Sequence, residues 1–344
     1  MHIAVAGAGI IGSSIAWRLA QRGCRVTLLD AGTMGGEASW AGAGMLAPGG
    51  EVAGPSAWSE LAMQSAAAYP GFVRELEAET GEQIDYRQGG AVEVAAGEPE
   101  IHELNERVER QRDLGIPSTA LAAPPPGIEL PAGAVVRFFP ADAIVDPRDV
   151  MRALRAACLA RGVVIREATP VIRVEWRGGK ATVQLSAGTL AADSVVLAAG
   201  AWNSDIQLAY PAPATFPVRG HLLGYRLAPG LLPSILRRGH TYLLQRSSGF
   251  FIAGASSESV GFDRSLDAAI VAKLHADAAA LFPALRGLTP EPWLGFRPAT
   301  NAYLPEIRRI EDTGIWLACG HFRNGILLAP ETARRVADGI TAAT

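Results

Sequence analysis

A glycine-rich turn between two apolar strands constrains this chain more than any other feature. Ile3-Ala4-Val5-Ala6 reads as a buried strand, and Gly7-Ala8-Gly9-Ile10-Ile11-Gly12 follows at once. A helical pattern then runs over residues 13–20 to a break at Gly23, and a second strand over 25–29 ends on Asp30. Strand, tight turn, helix, strand and acid in that order form the dinucleotide-binding fingerprint. Gly7 allows the turn, Gly9 lets the backbone close on a pyrophosphate, and Gly12 lets helix and strand pack. The helix start at Ile10 and Ile11 offers free N–H groups and a positive dipole end to phosphates. Asp30 is placed to accept from a ribose hydroxyl.

Composition narrows the class further. A chain of 344 residues can bury a large core, and length alone favours two domains. Its hydrophobic content of 49% and its 38 glycines suit an α/β protein with many tight turns. A net charge of −3 gives no electrostatic footprint for nucleic acid or an anionic membrane. Cys24, Cys158 and Cys319 are far apart in apolar settings, which reads as buried thiols in a reducing compartment, with no disulfide framework and no metal site. The N-terminus enters a core strand directly, and no apolar run reaches the roughly 18 residues of a membrane helix. The expectation is a soluble cytoplasmic protein; homo-oligomerisation is left open.

Along the chain, residues 31–50 are unusually rich in small side chains, from Ala31 through Ser39, Ala43 and Gly44. Such a stretch lets backbone lie against something large and flat. Trp40, Met45 and Leu46 are poor linker residues, which argues against a flexible connection. Residues 59–79 and 99–114 read as helices, the second with one charged, solvated face. Asp146-Pro147 caps and opens another helix. Strands are expected over 163–165, 171–176 and 181–185, with Gly178-Gly179 as a hairpin turn. Residues 194–202 form an apolar strand that ends in small residues, the profile of a central parallel strand whose C-terminal end meets a ligand. Antiparallel strands over 221–227, 240–246 and 250–254, a helix over 266–281, a strand over 316–320 and a final helix from Asn324 complete the pattern.

Nucleotide-type signals thus recur at the start, middle and end of the chain. The fold class expected is α/β: a Rossmann-like domain assembled from residues 1–80, 146–210 and 291–344, and an antiparallel-sheet substrate domain from 81–145 and 211–290.

Several motifs together resemble the D-amino-acid oxidase-like family of flavoproteins, and within it the glycine oxidases of thiamine biosynthesis. They are Gly7–Gly12 with Asp30, Ala41-Gly42-Ala43-Gly44-Met45-Leu46, Leu197-Ala198-Ala199-Gly200-Ala201-Trp202, Gly295-Phe296-Arg297-Pro298-Ala299-Thr300, and Gly320-His321-Phe322-Arg323-Asn324-Gly325-Ile326-Leu327-Leu328-Ala329-Pro330. They span nearly the whole chain in the family's order. The resemblance implies FAD lying between the two domains. Its contacts would come from Gly7, Gly9, Ile10, Ile11, Gly12, Asp30, Ala31, Ser39, Ala43, Gly44 and Met45 in the first part of the chain. Val171, Ala199, Gly200 and Trp202 would add the middle wall, and His321, Arg323, Asn324, Gly325, Ile326 and Leu327 the last. The helix starting near Asn324-Gly325 would point N–H groups and its dipole at the negative charge a reduced flavin carries around N1 and the C2 carbonyl.

For the substrate, the resemblance implies that Arg297 holds a carboxylate, with Tyr242 reaching the same group and Arg323 as a second cation. A planar guanidinium in an apolar setting matches a carboxylate bidentately. Met45, Ala47, His240, Ser257 and Tyr303 would line the rest of the pocket. The activity implied is oxidation of glycine or a small D-amino or N-substituted amino acid, with O₂ reoxidising the flavin to give hydrogen peroxide. A dehydrogenase of the same fold that passes electrons to a quinone or carrier, and a non-catalytic flavin-binding or assembly protein, are the alternatives.

Three departures from the family pattern bear on this. Asn301–Arg308 replaces a small turn, so Tyr303 and Arg308 are expected close to the flavin. Ser257 stands where a bulky apolar residue covers the substrate in related enzymes, which predicts a roomier pocket that favours an N-alkyl glycine or small D-amino acid, unless Tyr303 fills the space. No cysteine lies in the segment directly after Arg297, where sarcosine-oxidase relatives carry a covalent flavin link, so FAD is expected to be non-covalent.

Overall fold

The computed structural model describes residues 1–342, so the last two residues of the 291–344 segment lie outside the described residues. The opening strand His2–Ala6 is wholly buried, as its unbroken apolar run requires. It sits inside a six-stranded sheet, in the order Glu306–Arg309, Ile315–Cys319, Ser194–Leu197, His2–Ala6, Arg25–Leu29, Val164–Arg166. All pairings are parallel except that of the Glu306–Arg309 edge. Ile3 lies opposite Val26 on one side and Ser194 on the other. The order therefore changes direction at the first strand, and in such sheets ligands bind beyond the strand carboxyl ends at that switch point.

Helices cover one face of this sheet. Ile10–Gln21, Ala57–Thr80, Pro147–Ala160 and Gly325–Ala342 supply a core built on Trp17, Tyr69, Phe72, Leu154 and Val336. Trp17 meets Phe72 edge-on at 5.6 Å between centroids, the favoured aromatic geometry. The Ala57–Thr80 helix starts on a capping box between Ser56 and Ser59 and stops at Gly81 in the left-handed region. Asp146 caps the Pro147–Ala160 helix by accepting from the Arg148 N–H, as its sequence position predicts. A four-stranded sheet (Val171–Arg177, Lys180–Leu185, Gly188–Ala192, Gln207–Leu208) covers the opposite face, where Val174 and Val183 pack with Val195, Ile315 and Leu317.

An eight-stranded, mostly antiparallel sheet forms the second body, in the order Glu291–Thr300, Thr215–Arg226, Phe250–Gly254, Thr241–Gln245, Ile235–Arg238, Ala91–Ala95, Val135–Phe139, Thr119–Leu121. The Ala268–Leu281 helix packs on it through Leu274 and Ala278 against Leu223, Phe251 and Leu285. Glu291–Thr300, grouped from the sequence with the nucleotide-binding segments, runs antiparallel to Thr215–Arg226 from Glu291↔Gly224 to Thr300↔Thr215. Pro292 and Pro298 obscure it as a strand, but it is an edge strand, where proline is tolerated. Among the described residues, no helix is long and apolar enough to cross a membrane, and no group of three or more His, Cys, Asp or Glu could hold a metal ion.

Gly12 is the tightest point between the first turn and its helix: a Cβ there would lie 1.9 Å from the Gly7 carbonyl oxygen. Gly71, inside the Ala57–Thr80 helix, has nothing within 4 Å of the same position. Gly12→Ala should therefore lose about 1–3 kcal/mol or more through overpacking, whereas Gly71→Ala should gain up to about 1 kcal/mol of helix propensity. Denaturant titration of the two variants checks the contrast.

Candidate active site

A cavity of about 890 Å³ runs between the two bodies, from the glycine-rich turn to the Glu291–Thr300 strand. At its first end, Gly7 has a φ of +103°, and a Cβ there would fall 2.2 Å from the Ala198 carbonyl oxygen, so the turn touches the neighbouring strand end through backbone alone. Asp30 holds the turn in shape: its Oδ2 accepts from the Ala8 N–H at 2.7 Å and its Oδ1 from the Gly32 N–H at 2.8 Å. A carboxylate has about four lone-pair sites, so it retains capacity for a ribose hydroxyl. The Ser39 hydroxyl accepts from the Ile10 N–H at 2.9 Å, fixing the small-residue segment to the helix start. No acidic side chain occupies the first turn of that helix, whose start lines the cavity.

These features fit a dinucleotide cofactor. The walls approach as backbone where side chains would block the space, and the donors sit at one end. The remaining sequence-predicted wall falls where expected: Ala31, Ala43, Gly44, Met45 and Val171 line the cavity, as do Ala199, Gly200, Trp202, Asn324, Gly325 and Ile326. Trp202 is stacked on Phe262 at 4.7 Å.

Two candidate contacts sit behind the wall. Gly12 packs under the turn, and Leu327 is 1% exposed within the helical core, with its carbonyl accepting from the Ser65 hydroxyl at 2.7 Å. Tyr303 is a correction to the sequence reading. It is 49% exposed and packs edge-on to Phe322 at 5.0 Å and to Phe216, outside the cavity, so it does not fill space above the substrate. Arg308 is likewise not at the site; it pairs with Glu306 on the sheet edge.

At the other end, Arg297, Tyr242, His240, Ser257, Met45 and Ala47 share the wall. Arg297 lies over Gly220, where a Cβ would stand 2.4 Å from both terminal guanidinium nitrogens. Its Nη1 donates to the Ser256 carbonyl at 2.9 Å and, at 3.5 Å, to that of Arg219. No carboxylate among the described residues forms an ion pair with it, so the guanidinium is not committed to a structural salt bridge. Burial pulls its pKa below the ordinary value; Tyr242 opposes this, and the Arg323 charge adds to it. An arginine still keeps its proton under such influence, so the cavity holds an uncompensated cation. Burial pushes the Tyr242 hydroxyl up to about 12, so it faces the cavity as an O–H donor.

Arg323 is less available than expected, because its Nε donates to Glu51 at 2.7 Å. The Asn324 amide also reaches that carboxylate, at 3.4 Å. Sequence reading missed Glu51; an isolated acid closing the small-residue stretch was the available signal. It also missed Arg237, a buried cation on the cavity wall neutralised by Glu93 and Asp142. His321 is buried, with Nε2 3.1 Å from the Thr332 hydroxyl, and burial lowers its pKa to about 3. It is a neutral imidazole beneath the start of the last helix.

The architecture and the cofactor cradle define a class. The model of the family "FAD dependent oxidoreductase" matches residues 2–339, and the chain belongs to that family. Within it, the chain is similar to the glycine oxidase of Geobacillus kaustophilus, 33% identical over 98% of this chain and 92% of that protein. It is also similar to the glycine oxidase of Pseudomonas putida, 32% identical over 99% of this chain and 95% of that one. The crystal structure of the Geobacillus kaustophilus glycine oxidase superposes with a TM-score of 0.93 at 31% identity, covering 99% of this chain and 94% of that one.

His321 makes a prediction about acid stability. Its folded pKa lies below the unfolded value of 6.5, so the unfolded state binds the extra proton first. The contribution is fully present above that unfolded value and is lost as pH falls toward about 3, with a slope approaching about 1.4 kcal/mol per pH unit. His321→Gln should flatten the fall of stability between those limits, measured by denaturant midpoints across pH.

Proposed function

We propose that the chain catalyses FAD-dependent oxidation of glycine or a small D-amino or N-substituted amino acid. One observation carries this reading: Arg297 presents a half-buried guanidinium to the cavity without a carboxylate of its own. A substrate carboxylate would complete it, with the Tyr242 hydroxyl donating to the same group. The names of the relatives support that substrate class. Bound FAD supplies the two-electron acceptor; O₂ then takes the electrons as hydrogen peroxide, and the imine product hydrolyses to a keto acid with ammonia or an amine. The protein's part is positioning. Arg297 and Tyr242 fix the carboxylate, and the walls at Met45 and Ala47 keep the α-carbon in an apolar setting. The Glu51–Arg323 pair adds charge of both signs to the cavity wall. Ser257 lines the substrate end with a small side chain and Tyr303 is absent from it, which supports a pocket that takes more than glycine.

On the same reading FAD is held without a covalent bond. Cys319 lines the cavity, but burial pushes its thiol up to about 12, which leaves it protonated and a poor nucleophile. The segments 1–80, 146–210 and 301–342 would form the FAD-binding unit, with 81–145 and 211–300 as the substrate unit; the 291–300 stretch moves to the latter because its strand pairs with Thr215–Arg226. Purified protein should be yellow and release free FAD into the supernatant on acid precipitation; flavin retained in the pellet contradicts the non-covalent reading.

The substrate reading is tested by anaerobic flavin bleaching and by kcat/KM for glycine, sarcosine, D-alanine and D-proline. Sarcosine or a D-amino acid is expected to match or exceed glycine. Arg297→Ala should cost about 2–5 kcal/mol in kcat/KM on the best substrate, with the flavin spectrum nearly unchanged. Unaltered kinetics in that variant would make the arginine structural.

A further inference from the structure

Beside Arg297 lies a partly buried hydrogen-bonded cluster that the proposed chemistry leaves unused. Residues 256–258 extend beyond the Phe250–Gly254 strand and are stitched to the Thr215–Arg226 strand. The Arg219 N–H donates to the Glu258 carbonyl at 2.9 Å, the Glu258 N–H to the Arg219 carbonyl at 3.0 Å, and the Ser256 N–H to the His221 carbonyl at 3.3 Å. The Ser256 hydroxyl accepts from the His221 N–H at 2.8 Å, donates to Glu258 Oε1 at 2.6 Å and lies 3.1 Å from His221 Nδ1. Glu258 Oε1 also meets His221 Nδ1 at 2.8 Å, and Oε2 accepts from Arg219 at 2.5 and 3.2 Å. The Asp267 N–H, which can only donate, reaches His221 Nε2 at 3.1 Å. That makes Nε2 the acceptor, so Nδ1 carries the proton and donates to Glu258.

Arg219 and His221 are buried, 4% and 0% exposed, and Ser256 and Glu258 are partly buried beside them. Burial works against the Glu258 charge, yet hydrogen bonds from Ser256, Arg219 and His221 hold its carboxyl below the usual range. The product of this arrangement is one fixed carbonyl, that of Ser256, and it is the nearer of the two protein acceptors of Arg297.

We infer that Ser256 and Glu258 are positioning residues for substrate binding: they lock the Ser256 carbonyl, and through it the direction in which the Arg297 guanidinium faces the carboxylate. The partly buried Glu258 carboxylate is well suited to this. It gathers the Ser256 hydroxyl, the His221 imidazole and the Arg219 guanidinium at one point, so the loop cannot shift without breaking several charge-assisted bonds together. The inference rests on Arg297 receiving a substrate carboxylate.

The test uses FAD-loaded protein and acetate as a carboxylate probe without an amine. Acetate Kd is read from the flavin spectrum, alongside KM and kcat for the best substrate, Tm and flavin content. Ser256→Ala and Glu258→Gln should raise acetate Kd and substrate KM by about tenfold or more, with kcat falling less and with Tm and flavin content near wild type. Ser256→Thr, which restores the hydroxyl, should recover most of the affinity. Ser256→Ala with wild-type acetate Kd and KM overturns the inference, and so does a loss of affinity that only follows a loss of Tm or flavin. Should Ser256→Ala fail to fold, Glu258→Gln decides by the same readouts. Arg297→Ala separates the two levels. If it leaves acetate Kd unchanged, the substrate reading itself fails; if it abolishes acetate binding while Ser256→Ala does not, only the positioning role fails.

Discussion

The antiparallel pairing of Thr215–Arg226 with Glu291–Thr300 is the constraint on which the site depends. It sets Arg297 opposite Val218, one residue from Arg219 and two from Gly220, so the guanidinium has a glycine to lie across and a carbonyl to rest on. It also delivers the chain from Thr300 to the edge strand Glu306–Arg309, the strand Ile315–Cys319 and then the helix whose start faces the cavity. One strand pair thus connects the wall that would hold a substrate to the wall that would hold the cofactor. A register slip of one residue would turn Arg297 to the other face and close the site.

Charge in the molecule is arranged by how far each group is satisfied. Arg237 and Arg219 are deeply buried, and each is matched by two carboxylates, Glu93 with Asp142 and Glu258 with Asp263. Burying a cation costs several kcal/mol unless partners replace its water, and these have them. Half-buried Arg297, by contrast, hydrogen-bonds only to backbone carbonyls among the described residues. On the proposed function, a substrate carboxylate would meet its demand for a partner.

Much of this was legible in the sequence because local chemistry and position coincide. The Gly7–Gly12 turn, the cap at Asp146, the strand at Ser194–Leu197 and the approach of the last helix each rest on residues a few positions apart. Glu291–Thr300 was hidden because its prolines contradict strand propensity and only its edge position permits them. Ala91–Ala95 escapes the sequence reading because five residues with a central glutamate are too short a signal without the partners at Val135–Phe139 and Ile235–Arg238. Tyr303 is expected at the flavin only because it stands where the resembled family has a small turn residue. Its aromatic contacts with Phe216 and Phe322 lie outside the cavity, and no local pattern foretells them. Glu51 and the Ser256–Glu258 cluster depend on partners from distant segments, 272 residues away for Arg323.

The placement of the first strand has a consequence for how the molecule is made. His2–Ala6 lies mid-sheet, and its backbone is tied to Asp193, 191 residues later, while the cavity also needs the helix that begins at Gly325. During vectorial synthesis the first strand therefore has one partner early, Arg25–Leu29, and waits for more than half the chain before its other edge is covered. The cofactor cradle is among the last things to exist. Flavin binding would accordingly report that both the first strand and the helix from Gly325 are in place, and until then the nascent chain must keep an apolar strand from wrong pairings.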